Sequence, residues 1–448
     1  MKTKKFNIVL KHKISSYNKI IKVDADKSLS IRSFLLGSIC QNISHANNVL
    51  ESEDVKSTIN ACRRLGVKIH KIKPKCYKIY GKGLGSLVAK KNTKLNFSNS
   101  GTLARLLIGI LATTPNIEVK IQGDHSLNKR NMKKLIDLIS RFGAFFLPKG
   151  KETFPLKLIS SDMPTGIDYK AGVSAQLKSA VILAGLNSFG DTIIEEQVSS
   201  RDHTENLLIQ NSHVIKIKKA KKKIIKVQGK KYLKPMNINI GGDPSSAAFF
   251  TALTLLNQNS SIKIKNVGLN PTRTGFYEIL KKQNAKIKFF NLKKENNEIR
   301  GDIIVKSCKL KPMNTPSNIY PRTTDEYLIL FLISALTKGV SSFSGISDLS
   351  NKESSRAHEM KKILNQIGIK CKLSKNKMKI FGRGMIDASD KKISVGNLGD
   401  HRVAMCAFML GILTNAKTSI KNFETVFTSS PSFLKIMKSL GAKFEIRS

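Results

Sequence analysis

The sequence predicts an α/β protein of two similar lobes, each made of three repeated modules. Three observations carry that expectation. Apolar runs with helical spacing alternate along all 448 residues with short stretches in which Lys and apolar residues alternate, as in half-buried strands. One punctuation recurs six times: a helix-like segment ends in a basic or polar turn, then Gly or a substitute, then a short strand. The pattern breaks once near the middle, in INIGGDPSS, where Gly-Gly and Pro interrupt it.

The copies are RRLGVKIHKI around Gly66, SRFGAFFLPK around Gly143, QNSHVIKIKK around Ser212, KKQNAKIKFF around Asn284, NQIGIKCKLS around Gly368 and KSLGAKFEIR around Gly441. Gly and Asn suit the left-handed residue that closes a helix, which gives the small residue a mechanical reason to recur. Their spacing of roughly 70–85 residues is longer than a solenoid unit, so each copy marks a larger α/β module. The first twenty or so residues read as strand-like, and Asn239–Pro244 reads as the boundary between halves.

Composition narrows the function. Hydrophobic residues make up 40% of the chain, so it is globular. The formal net charge of +47 first suggests nucleic acid. The lysines, however, are spread over nearly every segment with many Asn and Ile, no basic arm stands out, and there is no Trp to stack on bases. A codon bias towards A/T explains that excess better. Cys40, Cys62, Cys76, Cys308, Cys371 and Cys406 form no CxxC pair and read as reduced thiols. MKTKKFNIVLKHKISS has no apolar stretch long enough for a signal peptide, and runs such as Ala180–Leu186 are too short to span a membrane. The expectation is a soluble cytoplasmic protein.

Eight polar clusters each precede or open an apolar helix: DKSLSIR (26–32), NSGTLAR (99–105), LNKRNM (127–132), VSAQ (173–176), SSRDHTE (199–205), GDPSS (242–246), TTDEY (323–327) and DHR (400–402). Simple N-capping explains any one of them. It does not explain why the scarce arginines Arg32, Arg105, Arg130, Arg201, Arg356 and Arg402 gather in or beside such clusters. Arg offers a planar fork for carboxylate or phosphate that Lys cannot imitate, and helix N-termini favour anions. Ser28 and Arg32, four apart, share a helix face, with Lys27 at its mouth. Gly101 permits close backbone approach to a ligand, with Arg105 one turn on. In NKESSRAHEM, Glu353 and Arg356 lie three apart on one helix face, beside Lys352. Together the clusters predict a pocket for more than one multiply charged small anion.

At these residues the chain resembles the 5-enolpyruvylshikimate-3-phosphate (EPSP) synthase family, over essentially its whole length. SAQLKSAVILAGLN (174–187), SRDHTE (200–205), NPTRTG (270–275) and DEYLIL (325–330) look most like its class II branch. The resemblance implies two lobes of three βαβαββ units each, the inside-out α/β barrel of enolpyruvyl transferases, with helix N-termini facing a cleft. It implies that residues 1–24 plus 241–448 form the lobe with the catalytic carboxylates and part of the phosphoenolpyruvate (PEP) site. Residues 25–240 form the lobe with most shikimate 3-phosphate contacts. The implied reaction moves the enolpyruvyl group of PEP to the 5-hydroxyl of shikimate 3-phosphate through a tetrahedral intermediate. It needs no metal or organic cofactor, no nucleic acid and no membrane, and the enzyme is expected to be a monomer. Carried over by motif, Lys27, Ser28 and Arg32 form the first substrate loop. Ser174, Ala175, Gln176 and Arg201 face shikimate 3-phosphate, and Gly101, Arg130, Arg356 and Arg402 face PEP. Asp325 and Glu353 match the catalytic carboxylates, with Asp325 assigned to the hydroxyl, Glu353 to the methylene, and Lys27 stabilising charge or sharing proton transfer.

The chain departs from the family pattern in four places. Asp24-Ala25-Asp26 stands where Pro-Gly-Ser usually precedes the first Lys, Asn131 where Pro follows the loop arginine, and Ser355 where Asp is usual. TSSP (428–431) lacks a Lys at Thr428 and has Ser430 in place of Phe. The nearest alternative is the sister transferase acting on UDP-N-acetylglucosamine, whose Lys-Asn pair and loop Cys are missing here: Lys27 is followed by Ser28, and no Cys lies between Cys76 and Cys308. A basic nucleic-acid-binding α/β protein is the alternative of a different class.

Overall fold

Six helices are largely apolar with no polar face of their own, and a helix of that kind is interior. In the computed structural model, which describes residues 5–219 and 222–447, they are Lys27–Ile39, Gly101–Ala112, Ala175–Leu186, Pro244–Leu256, Tyr327–Ala335 and His401–Thr414. The chain divides into two compact units. An inserted unit comprises Ala25–Gly241 together with Lys294–Glu298, and a terminal unit comprises Met1–Asp24, Gly242–Lys293 and Ile299–Ser448. Each unit has its own hydrophobic core, and the first three helices pack together in one as the last three do in the other.

Around the helices lie six four-stranded sheets among the described residues, three to a unit. All six repeat one spatial order, a parallel pair followed by two further strands; in three of them the parallel pair is joined through an interior helix and the last two strands form a hairpin whose second strand is innermost. Strand burial alternates in the way one buried face requires, as in Asp191–Glu196 and Lys392–Val395, and this puts many lysines on the solvent side. Part of the dispersed positive charge is therefore the outer face of the sheets.

Three of the six modules are completed by distant chain. Asn237–Asn239 pairs in parallel with Ile43–Asn47, which closes the first module of the inserted unit. Asn18–Ile21 pairs with Ser261–Gly268, and Asn7–Leu10 lies between Lys417–Ile420 and Glu445–Arg447. The terminal unit thus cannot close until both ends of the chain are present. Backbone crossings are pinned by Asp26 N donating to Gly241 O at 2.9 Å in one unit and by Asp243 N donating to Asp24 O at 2.8 Å in the other.

Five of the six punctuation residues are left-handed: Gly66 at φ +85°, Gly143 at +91°, Asn284 at +62°, Gly368 at +77° and Gly441 at +98°. Ser212 is the exception, at φ −59°. There the helix His203–Leu208 tightens into a 3-10 turn, Ile209–Asn211, and Val214 N bonds Asn211 O, so the chain turns without a left-handed residue.

One glycine governs the packing of the inserted unit. A Cβ at Gly109 would stand 2.4 Å from the carbonyl oxygen of Ala180 on the neighbouring helix. Backbone cannot swing aside, so Gly109→Ala is expected to cost about 1–3 kcal/mol of stability. Urea unfolding checks this, and an unchanged midpoint would mean that the two helices part freely.

Candidate functional site

All eight polar clusters precede or open helices, but of two kinds. Six open the interior helices; LNKRNM and SSRDHTE precede or open the short helices Lys133–Ser140 and His203–Leu208. In the inserted unit the N-terminal halves of the three interior helices are tied together by side-chain hydrogen bonds. Arg105 Nη1 donates to Gln176 Oε1 at 2.9 Å and Gln176 Nε2 to Thr102 Oγ1 at 3.0 Å. Arg32 Nε donates to Thr204 Oγ1 at 2.8 Å and its Nη2 to Ser179 Oγ at 3.1 Å. Asp26, Ser100 and Ser174 cap these helices by accepting from Leu29, Leu103 and Leu177 N.

Through Ser179, Arg32 thus packs against the helix that Ser174 caps and that Ala175 and Gln176 open. Arg32 also donates Nη1 to Ser28 O at 3.2 Å, one turn back. Burial pushes its pKa down to about 10, and Asp26 and Glu205 oppose that fall. Lys27 opens its helix and pairs with Asp54 at 2.9 Å, a partner the sequence did not suggest. Gly101 opens the next helix, and a Cβ there would lie 2.7 Å from Arg105 Nη1 and 3.1 Å from Arg130 Nη1. Two guanidiniums thus flank a bare backbone at a helix N-terminus, a cradle for an anion. Asn99 accepts from Arg130 Nη2 at 2.5 Å.

Beneath this face lies a set of charges that sequence reasoning missed. Lys178 has no exposed surface and holds Glu196 at 2.6 Å and Glu205 at 2.7 Å, while Lys223 stands 3.2 Å and 3.3 Å from the same two carboxylates. Burial raises the pKa of Glu196, and Lys178, Ser200 and Lys223 together more than reverse it, so the carboxyl lies below its ordinary range. The only sequence signal was a Lys in the middle of the apolar run SAQLKSAVILAGL.

In the terminal unit one guanidinium organises the site. Arg356 is buried, with Nε on Asp400 Oδ2 at 2.9 Å, Nη2 on Glu353 Oε2 at 2.5 Å and Nη1 3.8 Å from Asp325 Oδ1. Burial alone would lower its pKa; Asp400, Glu353 and Asp325 raise it instead, so it stays charged. Arg402 donates Nη1 to Asp325 O at 3.0 Å and places Nη2 3.6 Å from Asp325 Oδ2. Asp325, Glu353, Arg356 and Arg402 are thus one cluster. Glu353 does not share a helix face with Arg356 as its spacing suggested, since the helix begins only at Arg356; it reaches back from the preceding turn. Asp400, known from the sequence only as part of DHR, is fully engaged: Oδ1 caps Arg402 N and Val403 N, and Oδ2 takes Arg356 and Ser354 Oγ.

The departures have local explanations. Asp26 is the helix cap. The Asp24 carboxylate accepts from Ser430 Oγ at 3.2 Å, Ser432 N at 2.8 Å and Ser432 Oγ at 2.7 Å, so the changes at 24 and 430 answer each other. Asn131 accepts from Lys133 N at 2.8 Å, starting the next helix as an Asx turn. Ser355 makes no capping bond and pairs with His358.

Comparison with known proteins places this arrangement. The family model "EPSP synthase (3-phosphoshikimate 1-carboxyvinyltransferase)" matches residues 11–437. A 3-phosphoshikimate 1-carboxyvinyltransferase of Zymomonas mobilis is 35% identical over 95% of this chain and 94% of its own. One from Thermodesulfovibrio yellowstonii is 36% identical over 93% and 95%. An EPSP synthase structure from Acinetobacter baumannii superposes with a TM-score of 0.84 at 32% identity, covering 99% of this chain and 100% of that one. The enolpyruvyl transferase NikO of Streptomyces tendae shares the fold, with a TM-score of 0.73 at 12% identity over 99% and 98% of the two chains. The chain belongs to the EPSP synthase (3-phosphoshikimate 1-carboxyvinyltransferase) family.

Proposed function

We propose that the chain transfers the enolpyruvyl group of PEP to the 5-hydroxyl of shikimate 3-phosphate, a step towards chorismate and the aromatic amino acids. Lys27, Ser28, Arg32, Ser174, Ala175, Gln176 and Arg201 hold shikimate 3-phosphate. Gly101, Arg130, Arg356 and Arg402 hold PEP. In the addition step the hydroxyl oxygen bonds C2 of PEP as it loses its proton to Asp325, and C3 gains a proton from Glu353 to become a methyl. In the elimination step the C–O bond to phosphate breaks and the methyl returns a proton, restoring the double bond. Lys27 balances charge or shares in proton transfer. Support comes chiefly from the single guanidinium of Arg356 standing against both Glu353 and Asp325, which fixes two carboxylates in different surroundings.

The deciding assay is phosphate release from PEP with and without shikimate 3-phosphate. Release should depend on the acceptor, and UDP-N-acetylglucosamine should not replace it. We take the enzyme to be a cytoplasmic monomer that acts on small molecules alone; among the described residues, no helix is long and apolar enough to cross a membrane. DNA or RNA binding with a steep salt dependence would instead favour the nucleic-acid reading.

Gly101→Ala tests the cradle. The new methyl meets only the far ends of Arg105 and Arg130, which can move, so the fold should survive while both forks lose their aim. KM for PEP should rise roughly ten-fold, with little change for shikimate 3-phosphate. Equal PEP values would take Gly101 out of the PEP site.

A further inference from the structure

We infer that Lys178 is a positioning residue for the loop that carries Arg201, and through it for the phosphate of shikimate 3-phosphate. The inference rests on the assignment of Arg201 to that substrate.

Lys178 lies on the largely apolar, buried helix Ala175–Leu186, within a turn of Ala175 and Gln176. An ammonium with no exposed surface is costly to keep unless matched charge surrounds it. Here Glu196 and Glu205 supply that match, and Lys223 completes a set of two positive and two negative groups. Their positions in the chain matter more than their sum. Glu196 is the last residue of the strand Asp191–Glu196, and Glu205 lies in the first turn of the helix His203–Leu208. The segment between them contains Arg201. One ammonium therefore ties down both ends of that segment.

The tie reaches the residue before Arg201. Glu196 Oε1 accepts from Lys178 at 2.6 Å and also from Ser200 N at 2.8 Å and Ser200 Oγ at 2.7 Å. On the other side, Thr204 Oγ1 donates to Ser179 Oγ at 2.8 Å and accepts from Arg32 Nε at 2.8 Å. The helix that carries Ser174–Gln176 thus holds the Arg201 segment by two successive residues, Lys178 and Ser179. Arg201 is close enough to Arg32 to depress its pKa, so the two guanidiniums repel each other. Without an anchor the Arg201 segment would drift from its partner until an anion arrived. The buried charges hold the segment that carries one of these like-charged forks in place before a phosphate is present.

Steady-state kinetics with both substrates test this on the full-length protein. Lys178→Met should raise KM for shikimate 3-phosphate roughly ten-fold, with kcat and KM for PEP changing by less than about three-fold. Ser200→Ala, a smaller change that leaves every charge in place, should move the same constant in the same direction. Lys178→Met with Glu205→Gln keeps the cluster neutral and guards against misfolding of the single variant; it should show the same split. Arg201→Ala provides the reference: once it has been made, adding Lys178→Met should cost little more. A uniform loss in all constants, or additive effects of Lys178→Met and Arg201→Ala, would overturn the positioning role. If Arg201→Ala itself leaves KM for shikimate 3-phosphate unchanged, the assignment of Arg201 fails first, and the two failures are told apart.

Discussion

Glu353→Gln and Asp325→Asn should each lower kcat by roughly two to four orders of magnitude while the protein stays folded. Both amides keep the size of the acid and remove its ability to carry a proton. Arg356 would retain Asp400 in either variant, and Asp400 would retain its two backbone donors and Ser354, so the cluster has enough contacts left to stand. The two carboxylates are separable by where the proton goes. Exchange of solvent hydrogen into the PEP methylene should collapse in Glu353→Gln. In Asp325→Asn the attack of the hydroxyl should be slowed. A folded Glu353→Gln variant with near-normal turnover would remove that residue from the mechanism, and a change confined to KM for PEP would reduce it to a partner of Arg356.

The parts of this site that the sequence disclosed are those made by local chemistry. A helix start needs a side-chain cap and tends to collect anion-binding groups, so Asp26, Ser100, Ser174 and Asp400 mark their helices within a few residues. A left-handed turn needs Gly or Asn, so five module ends could be read directly, while Ser212 hid a 3-10 turn that requires neither. Pairings between segments carried no such mark. Lys178 meets Glu196 across 18 residues, and Asp24 meets Ser430 across 406, so only the folded chain shows that these residues depend on each other. The departures at 24 and 430 looked like two separate losses in the sequence. In the structure the carboxylate at one position accepts from the hydroxyl at the other, at a place where the family pattern has Pro and Phe. Lys27 likewise read as standing at the mouth of its helix face, with no sign of Asp54, which holds it.

The three-carboxylate grip of Arg356 also sets what its replacement should do. Its Nε and Nη2 serve Asp400 and Glu353, and Nη1 faces Asp325, a division that needs a planar group with donors pointing three ways. In Arg356→Lys the charge remains, but one shorter ammonium must choose among three acids. Asp400 can afford the loss because it still caps its helix; Glu353 and Asp325 lose the group that fixes their spacing. PEP affinity should therefore fall by about 1.5–3 kcal/mol, the range for a lost charged hydrogen bond, which KM for PEP would report as roughly ten- to a hundred-fold. Arg402→Lys should cost less, since its contacts to Asp325 are one carbonyl bond and one pair at 3.6 Å. Binding of shikimate 3-phosphate alone, followed by calorimetry, should be unaltered in Arg356→Lys and so separates a local loss from general misfolding. If the folded Arg356→Lys variant keeps its affinity for PEP, charge alone suffices at that position, and fork geometry cannot be why arginine stands there in a chain that otherwise uses lysine.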